Sequence, residues 1–239
     1  MNFVPVPSQA QIQAALLSML AAILPPTVDI AEGQDNNVPE PSGDYVLMTV
    51  VMRNRLSTNV DTYADCKFVG SVTNGLLSVS RINFGTLAVG NVVFGTGSSP
   101  DPVITAINAD GTATLSAPIT VASSWMAAGV EILTQPTDVA IQLDVHSENI
   151  RLASDYAQTI TTIFRDDRGY QMLQASGFPI SPLYTDDPKQ VPFVSGESQY
   201  ESRYVITAHL QVNQTLTLPQ EFADKVVVDR VAADLFFPA

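Results

Sequence analysis

The residues that could build a phosphate-binding or nucleophilic site do not complete one. Gly95-Thr96-Gly97-Ser98-Ser99-Pro100 comes nearest to a glycine-rich phosphate loop. A proline stands where a dinucleotide fingerprint has its third glycine, and neither a helical pattern nor a nearby lysine follows. The sequence also lacks the Gly-x-Ser-x-Gly elbow on which α/β-hydrolases carry their nucleophile.

Histidines and paired carboxylates give no stronger catalytic arrangement. His146 and His209 lie on different predicted strands, each on the more polar face, where solvent or a loop is the expected neighbour rather than a metal. Asp166-Asp167 and Asp186-Asp187 are adjacent carboxylates, and the second pair precedes Pro188, a pattern typical of turns. We therefore predict a protein that is not an enzyme and that uses no cofactor.

A calcium site is the remaining chemical possibility. Residues 31–44 form a predicted loop that carries Glu32, Asp35, Asn36 and Asn37. Their spacing lacks the alternation and the terminal bidentate glutamate of an EF-hand loop. We therefore predict no metal site.

Charge and hydropathy restrict the partners. The 239 residues include 24 acidic and 11 basic side chains, a net charge of −13 that repels nucleic acid in bulk. This acidity is typical of a surface that favours solubility, or of a passage through which DNA slides without sticking. No Lys or Arg precedes Arg53, and the apolar run 14–24 is too short to span a bilayer, so neither a secretory signal nor a membrane partner is expected.

The single cysteine, Cys66, allows no intramolecular disulfide. It is predicted to be a small core or interface residue of a protein made in a reducing compartment.

Hydrophobic periodicity predicts two main helices. Residues 8–24 have capping-box spacing between Ser8 and Gln11, an apolar face, and two prolines that end the helix. Residues 147–165 form a second apolar stripe with Ser147 as the predicted N-cap. Residues 166–176 are predicted to be a shorter helix or an ordered loop.

Alternating or continuous apolar runs predict the strands. The segments are 27–30, 45–53, 63–72, 139–145, 200–218 and 225–235. We expect 139–145 to pair with 63–72. Residues 178–196 contain four prolines and are predicted to be an extended connection without regular structure.

Residues 74–134 differ in character, because they lose nearly all charge and carry turn signals at short intervals. This pattern predicts a small all-β domain, inserted into an α+β domain formed by residues 1–73 and 135–239. The predicted fold class is α+β, with a mainly antiparallel sheet and two helices packed on it.

Short motifs in a fixed order carry a family resemblance. They are the loop NNVPEP at 36–41, YVLMT at 45–49, RLST at 55–58, QLDV at 142–145, SDYA at 154–157, PLYTDDP at 182–188, QYESRY at 199–204, QVN at 211–213 and PQEFAD at 219–224. Over residues 8–72 and 136–239 the chain resembles the neck or tail terminator proteins of tailed bacteriophages. The segment 74–134 departs from the minimal fold of that family, as does the Val-His-Ser that follows Asp144.

The resemblance implies a structural virion protein, made in the host cytoplasm and placed at the tail or neck. It implies a homo-oligomeric ring, of six copies, that terminates the tail tube and sheath, joins them to the neck connector, and lets DNA pass through its lumen without specific binding. Exposed, proline-stiffened segments at 35–41, 53–58 and 184–199 are the expected contacts. Their candidate contact residues are Asp35, Asn36, Asn37, Arg53, Arg55, Tyr184, Asp186, Asp187 and Glu197.

Two other functions stay open from the sequence. One is a different virion component, such as a tail-completion, baseplate or decoration protein. The other is a glycan-binding module in which Trp125, the only tryptophan, stacks on a sugar.

Overall fold

Three helices and eleven strands form the regular structure of the part of the chain that the computed structural model describes, residues 4–33, 43–95, 97–98, 101–194 and 200–220. The helices are α1 (Gln9–Ile23), α2 (Ile150–Phe164) and α3 (Asp167–Gln174). The strands are β1 (Asp29–Glu32), β2 (Tyr45–Arg55), β3 (Val60–Thr73), β4 (Leu76–Gly85), β5 (Val92–Gly95), β6 (Ile104–Ile107), β7 (Ala113–Leu115), β8 (Val121–Ser147), β9 (Ile180–Thr185), β10 (Lys189–Val194) and β11 (Tyr200–Pro219). The fold is mostly β with three helices, and α3 shows that the segment at 166–176 is helical. The strand predicted at 225–235 lies outside the described residues.

The chain divides into two units. The first comprises the described residues of 1–60 and 133–216, and the second comprises 61–132 with 217–220. β8 contributes residues to both units. The sequence places its domain boundaries at 73/74 and 134/135, and the independent, inserted character of the segment between them stays a prediction.

The sheet of the first unit is built around β8. β2 lies between β1 and the C-terminal part of β8, and β11 also pairs with β8. β1 runs parallel to β2, whereas β2 and β8 are antiparallel, with Met48 opposite Leu143. β8 does pair with β3, as the sequence predicts for these two strands. The predicted register is wrong, however, because the stretch of β8 at 137–146 pairs with β2. Both candidates are apolar strands, and apolar periodicity alone does not choose between them.

The segment 178–196 is also more regular than predicted. It forms β9 and β10, which pair antiparallel with different stretches of β11. Pro182 faces Leu210 beside a register irregularity, and Pro192 faces Ser202. Among the described strands, β9 and β10 pair only with β11. β9 and β10 are therefore edge strands. Proline is tolerated in an edge strand, because its missing N–H can face away from the neighbouring strand and no backbone hydrogen bond is lost.

The helices cover one face of this sheet. Alternate residues of β2, β8 and β11 enter a core shared with α1, α2 and α3. These strand residues are Val46, Met48, Val139, Ile141, Leu143, Val145, Ile206, Ala208, Leu210 and Val212. Each large apolar side chain fully buried there stabilises the fold by about 1.5–3 kcal/mol, so this face accounts for the position of the helices.

The helix termini follow local sequence signals. The capping box at α1 is confirmed: the Ser8 hydroxyl accepts from the Gln11 amide, and the Ser8 amide donates to Gln11 Oε1. For α2 the predicted cap is wrong, since Asn149 is the N-cap and accepts from the Arg151 amide. Ser147 instead accepts a hydrogen bond from the Asn149 amide, just before the helix.

In the second unit all the described regular elements are strands. β4 pairs with β3 and β7, β7 with β6, and β5 with β8. Asn74 and Gly75 both have positive φ and join β3 to β4 in a two-residue turn, the geometry that Asn-Gly favours. The core contains Cys66, Phe68, Val72, Leu77, Val93, Ile104, Ala113, Leu115, Val121, Met126 and Ala128. Cys66 is thus a core residue, and burial raises the pKa of its thiol.

Candidate interaction surfaces

The sheet face opposite the helices in the first unit carries polar side chains, several of them buried. Side chains of β8 alternate between the two faces of the sheet. Asp138, Gln142, Asp144 and His146 lie on this face, and the odd-numbered residues from Val139 to Val145 enter the core. Asp138, Asp144 and His146 are buried. A buried charge is costly unless it is paired, so the partners of these groups determine how this face is held together.

Asp144 is paired with Arg203 of β11. Arg203 Nε and Nη2 donate to Asp144 Oδ1 at 3.1 and 2.8 Å. Gln142 Nε2 donates to both carboxylate oxygens of Asp144 at 3.0 Å. The Asp144 carboxylate therefore has charged and neutral donors on the same sheet face, as a buried carboxylate requires.

The two histidines are buried and each stacks on a tyrosine of the neighbouring strand. His209 lies 4.2 Å, centroid to centroid, from Tyr184, and His146 lies 4.3 Å from Tyr45. His209 Nδ1 is also 3.0 Å from Asp138 Oδ2, and an ionised carboxylate needs a proton on Nδ1 to form this hydrogen bond. The expectation that solvent or a loop would contact the histidines is thus wrong.

Three predicted contact residues lie in or beside the turn between β9 and β10. Tyr184 is half-exposed, and the Asp187 side chain is 91% exposed. The Asp186 amide donates to the Thr207 carbonyl at 2.9 Å. Arg165, which follows α2, donates to the Thr185 carbonyl and lies 3.5 Å from Asp187 Oδ1. The acidic turn, residues 184–187, is therefore fixed by its backbone and presents a carboxylate to solvent.

The other two described contact candidates lie at the end of β2. Arg53 and Arg55 are exposed. Arg53 donates at 3.4 Å to both Gln9 and Gln214, and Arg55 donates at 2.7 Å to the Asn59 side chain within the following loop. The structure therefore brings neither arginine to the acidic turn. Asp35, Asn36, Asn37 and Glu197 lie outside the described residues.

On the second unit, Trp125, the candidate sugar-binding residue, lies beside two cations, a grouping that the sequence did not predict. Lys67 Nζ and Arg81 Cζ lie over the indole ring of Trp125, 5.7 and 5.6 Å from its centroid. Trp125 is 49% exposed, so it is not the core residue that a lone tryptophan commonly is. Phe84, opposite Lys67 in the strand register, is half-exposed as well. We call Lys67, Arg81, Phe84 and Trp125 the Trp125 cluster.

The Trp125 cluster does not leave an open stacking platform for a sugar. A glycan would have to displace Lys67 and Arg81 from over the ring before it could stack on Trp125. This geometry does not favour the glycan-binding alternative.

Carboxylates of the second unit take part in local hydrogen bonds. Tyr63 donates to Glu131 Oε1 at 3.4 Å, and the charge of Glu131 raises the pKa of Tyr63. Asp110 Oδ1 accepts from the hydroxyl and the amide of Thr112, which lowers the pKa of Asp110. The first bond joins β3 to β8, and the bonds of Asp110 fix the turn between β6 and β7.

The described residues contain no group of three or more His, Cys, Asp and Glu side chains placed to hold a metal ion. In the glycine-rich stretch, Ser98 Oγ donates to the Gly95 carbonyl and accepts from the Gly95 amide. No helix among the described residues is both long and apolar enough to cross a membrane.

Comparison with known proteins gives the family. No curated protein matches the chain. The model of the phage neck terminator protein family matches residues 92–233, more than half of the 239 residues. The matched range includes much of the segment 74–134 together with β8, β11 and all of α2 and α3. The chain therefore belongs to the phage neck terminator protein family.

Proposed function

We propose that six copies of this protein assemble into a ring that terminates the tail tube and sheath of a tailed phage and joins them to the neck connector. The match to the phage neck terminator family over residues 92–233 carries this proposal. A phage neck protein is a structural component of the virion and contacts other tail and neck proteins.

The charge of the chain supports a passage for DNA. A net charge of −13 on each copy makes a ring of these copies strongly acidic. DNA carries a dense negative charge, and a protein holds it by neutralising phosphates with Lys and Arg. An acidic lumen therefore lets DNA slide past without specific binding.

Exposed residues of the first unit supply the proposed contacts. Arg53, Arg55, Tyr184 and Asp187 are accessible, and the half-exposed apolar side chains Val51, Met52 and Leu56 lie beside the two arginines. Arginine next to apolar side chains is typical of protein interfaces. We propose that residues 53–58 and 184–199 contact subunits or neck proteins, together with 35–41.

The first experiment measures assembly directly. Light scattering and negative-stain imaging over a range of protein concentrations should show closed rings of six. Arg55→Glu should weaken assembly. The matched control is Arg151→Glu, which makes the same change of charge at an exposed position on α2 and should leave assembly unchanged. Equal assembly by wild type and Arg55→Glu would remove residues 53–58 from the interface.

The second experiment locates the protein in the virion. Antibody or gold label should bind at the junction of head and tail. Phage made without the protein should yield tails of uncontrolled length that do not join heads. Label at the distal tail end or on the capsid would instead assign the chain to a baseplate or decoration role.

A further inference from the structure

Both cations of residues 61–132 lie over one aromatic ring. That stretch contains Lys67 and Arg81 as its only basic residues, against five acidic ones. Both contact Trp125, the only tryptophan of the chain, on a half-exposed part of the surface. The positive charge of this stretch is thus collected at one place.

Stability of the free chain gives a poor account of this arrangement. An exposed cation–π contact contributes about 0.5–1 kcal/mol, and two like charges placed over one ring repel each other. Trp125 and Phe84 also leave about half of their surface in water. Tryptophan, phenylalanine and arginine are the residues enriched where protein surfaces meet, so the Trp125 cluster has the composition of an interface centre.

The charge of the cluster selects an acidic partner. Duplex DNA is acidic, but two cations neutralise about two phosphates, which gives weak and strongly salt-dependent binding. An acidic protein surface offers carboxylates at fixed positions and apolar groups for Trp125 and Phe84 to cover. The cluster therefore fits an acidic protein segment better than it fits DNA.

The chain itself presents such a segment. The acidic turn combines the half-exposed Tyr184 with the carboxylates of Asp186 and Asp187, and Asp187 is almost fully exposed. Arg165 and the Asp186–Thr207 backbone bond hold the turn in place, so little entropy is lost on binding. Asp187 has one long contact within the chain, with Arg165 Nη2 at 3.5 Å, and its side chain stays 91% exposed. The adjacent carboxylates at the start of α3 make shorter local bonds: Asp166 accepts from the Arg168 amide at 2.9 Å and Asp167 accepts from Gln171 at 2.6 Å.

We propose that the Trp125 cluster of one copy binds the acidic turn of a neighbouring copy. This inference rests on the proposed function, because it names the contact between subunits of the ring. The two surfaces differ, so the contact is heterologous and repeats head to tail, and such a contact generates a closed ring when the rotation between successive copies closes. Arg81 and Lys67 pair with Asp186 and Asp187, while Tyr184 packs against the half-exposed Phe84.

Cross-linking tests the contact itself. A carbodiimide joins a lysine amine to a carboxylate in direct contact with it, with loss of water. A mixture of ¹⁴N- and ¹⁵N-labelled wild-type protein should give cross-links from Lys67 to Asp186 or Asp187, in pairs that combine the two labels. Absence of such mixed pairs, with cross-links between other residues present, overturns the proposal.

Charge exchange tests the assignment of both surfaces. Lys67→Glu/Arg81→Glu and Asp186→Lys/Asp187→Lys should each weaken self-association by roughly ten-fold or more, about 1.4 kcal/mol. A mixture of the two variants should recover wild-type association, because each reversed surface then meets a complementary one. The matched controls are Arg151→Glu/Arg168→Glu and Asp101→Lys/Asp155→Lys, which change the charge equally at exposed positions elsewhere.

The outcomes separate this contact from the ring as a whole. Rings of six that form without the Lys67 cross-link, and that tolerate both reversals, overturn the contact and leave the proposed function standing. The cross-link in open or differently sized oligomers supports the contact and counts against a six-copy ring. Salt-sensitive binding of wild type to duplex DNA, lost in Lys67→Glu/Arg81→Glu without any change in self-association, identifies DNA as the ligand and overturns the proposal.

Discussion

Arg203 donates two hydrogen bonds to one oxygen of Asp144 across the sheet face that the helices leave uncovered. The Asp138–His209 contact lies on the same two strands. Asp138 lies six residues before Asp144 on β8, and His209 lies six residues after Arg203 on β11. The two contacts thus fit one antiparallel register between β8 and β11. The polar contacts on this face therefore require the same alignment of β8 and β11 that places their apolar residues in the core on the other face.

The Arg203–Asp144 pair predicts an unequal effect of its two truncations. Arg203→Ala leaves Asp144, whose side chain is 7% exposed, with Gln142 as its one remaining side-chain donor among the described residues, and should cost about 3 kcal/mol. Asp144→Ala leaves an arginine that is 25% exposed and can reach water, and should cost about 1 kcal/mol. Free energies of unfolding in urea measure both, and the reverse order would contradict the role given to Asp144.

The Asp138–His209 contact predicts that Nδ1 of His209 contributes to the stability of the fold in addition to the stacking of its ring. His209→Phe keeps an aromatic ring against Tyr184 but leaves the buried Asp138 without its Nδ1 donor, and should cost about 2 kcal/mol. Asp138→Asn retains a carbonyl oxygen that can accept from Nδ1 and should cost less than 1 kcal/mol. Urea unfolding of the two variants at neutral pH checks this order. Equal losses would show that packing alone determines the effect.

The capping box of α1 predicts a local effect of a conservative change. Ser8→Ala removes the hydroxyl that accepts from the Gln11 amide and should destabilise the protein by about 1 kcal/mol. Ser18→Ala is the matched control, because the Ser18 hydroxyl donates to the Ala14 carbonyl on an exposed helix face and makes no cap. That control should change the free energy of unfolding by less than about 0.5 kcal/mol. Thermal unfolding of both variants measures the difference.

Features set by neighbouring residues could be predicted from the sequence. The Ser8–Gln11 box and the apolar stripe of α2 depend on residues three or four apart, so α1 and α2 were predicted close to their observed limits. The long alternating strand ending at Pro219 is equally local and is confirmed in β11. Order of this kind needs no knowledge of which strands meet.

Features set by strand register could not be predicted in the same way. The Tyr184–His209 stack and the Asp138–His209 contact depend on how β8, β9 and β11 align, and a histidine on an alternating strand does not reveal its neighbours. The Trp125 cluster joins residues of three strands. Its signals in the sequence were the single tryptophan, Trp125, and the fact that Lys67 and Arg81 are the only basic residues of 61–132.

Tyr156 predicts how stability changes at high pH. Burial, followed by the nearby Asp44 carboxylate that accepts from the phenol at 3.2 Å, raises the pKa of Tyr156. A folded-state pKa above the unfolded value of about 10 contributes stability that is fully present below that pH. The contribution is lost as the pH rises through the folded-state pKa, because tyrosinate then faces Asp44.

Tyr156→Phe isolates this contribution from those of the other six tyrosines. The difference in free energy of unfolding between wild type and Tyr156→Phe should be larger at about pH 9 than at about pH 11, since the variant has no phenol to ionise. Tyr63→Phe provides a comparison at an exposed site, where the charge of Glu131 is the main cause of the raised pKa. Because salt screens an exposed charge more than a part-buried one, 0.5 M NaCl should reduce the pH dependence of the Tyr63 difference more than that of Tyr156. An equal Tyr156 difference at both pH values would show that the phenol–carboxylate contact does not stabilise the fold.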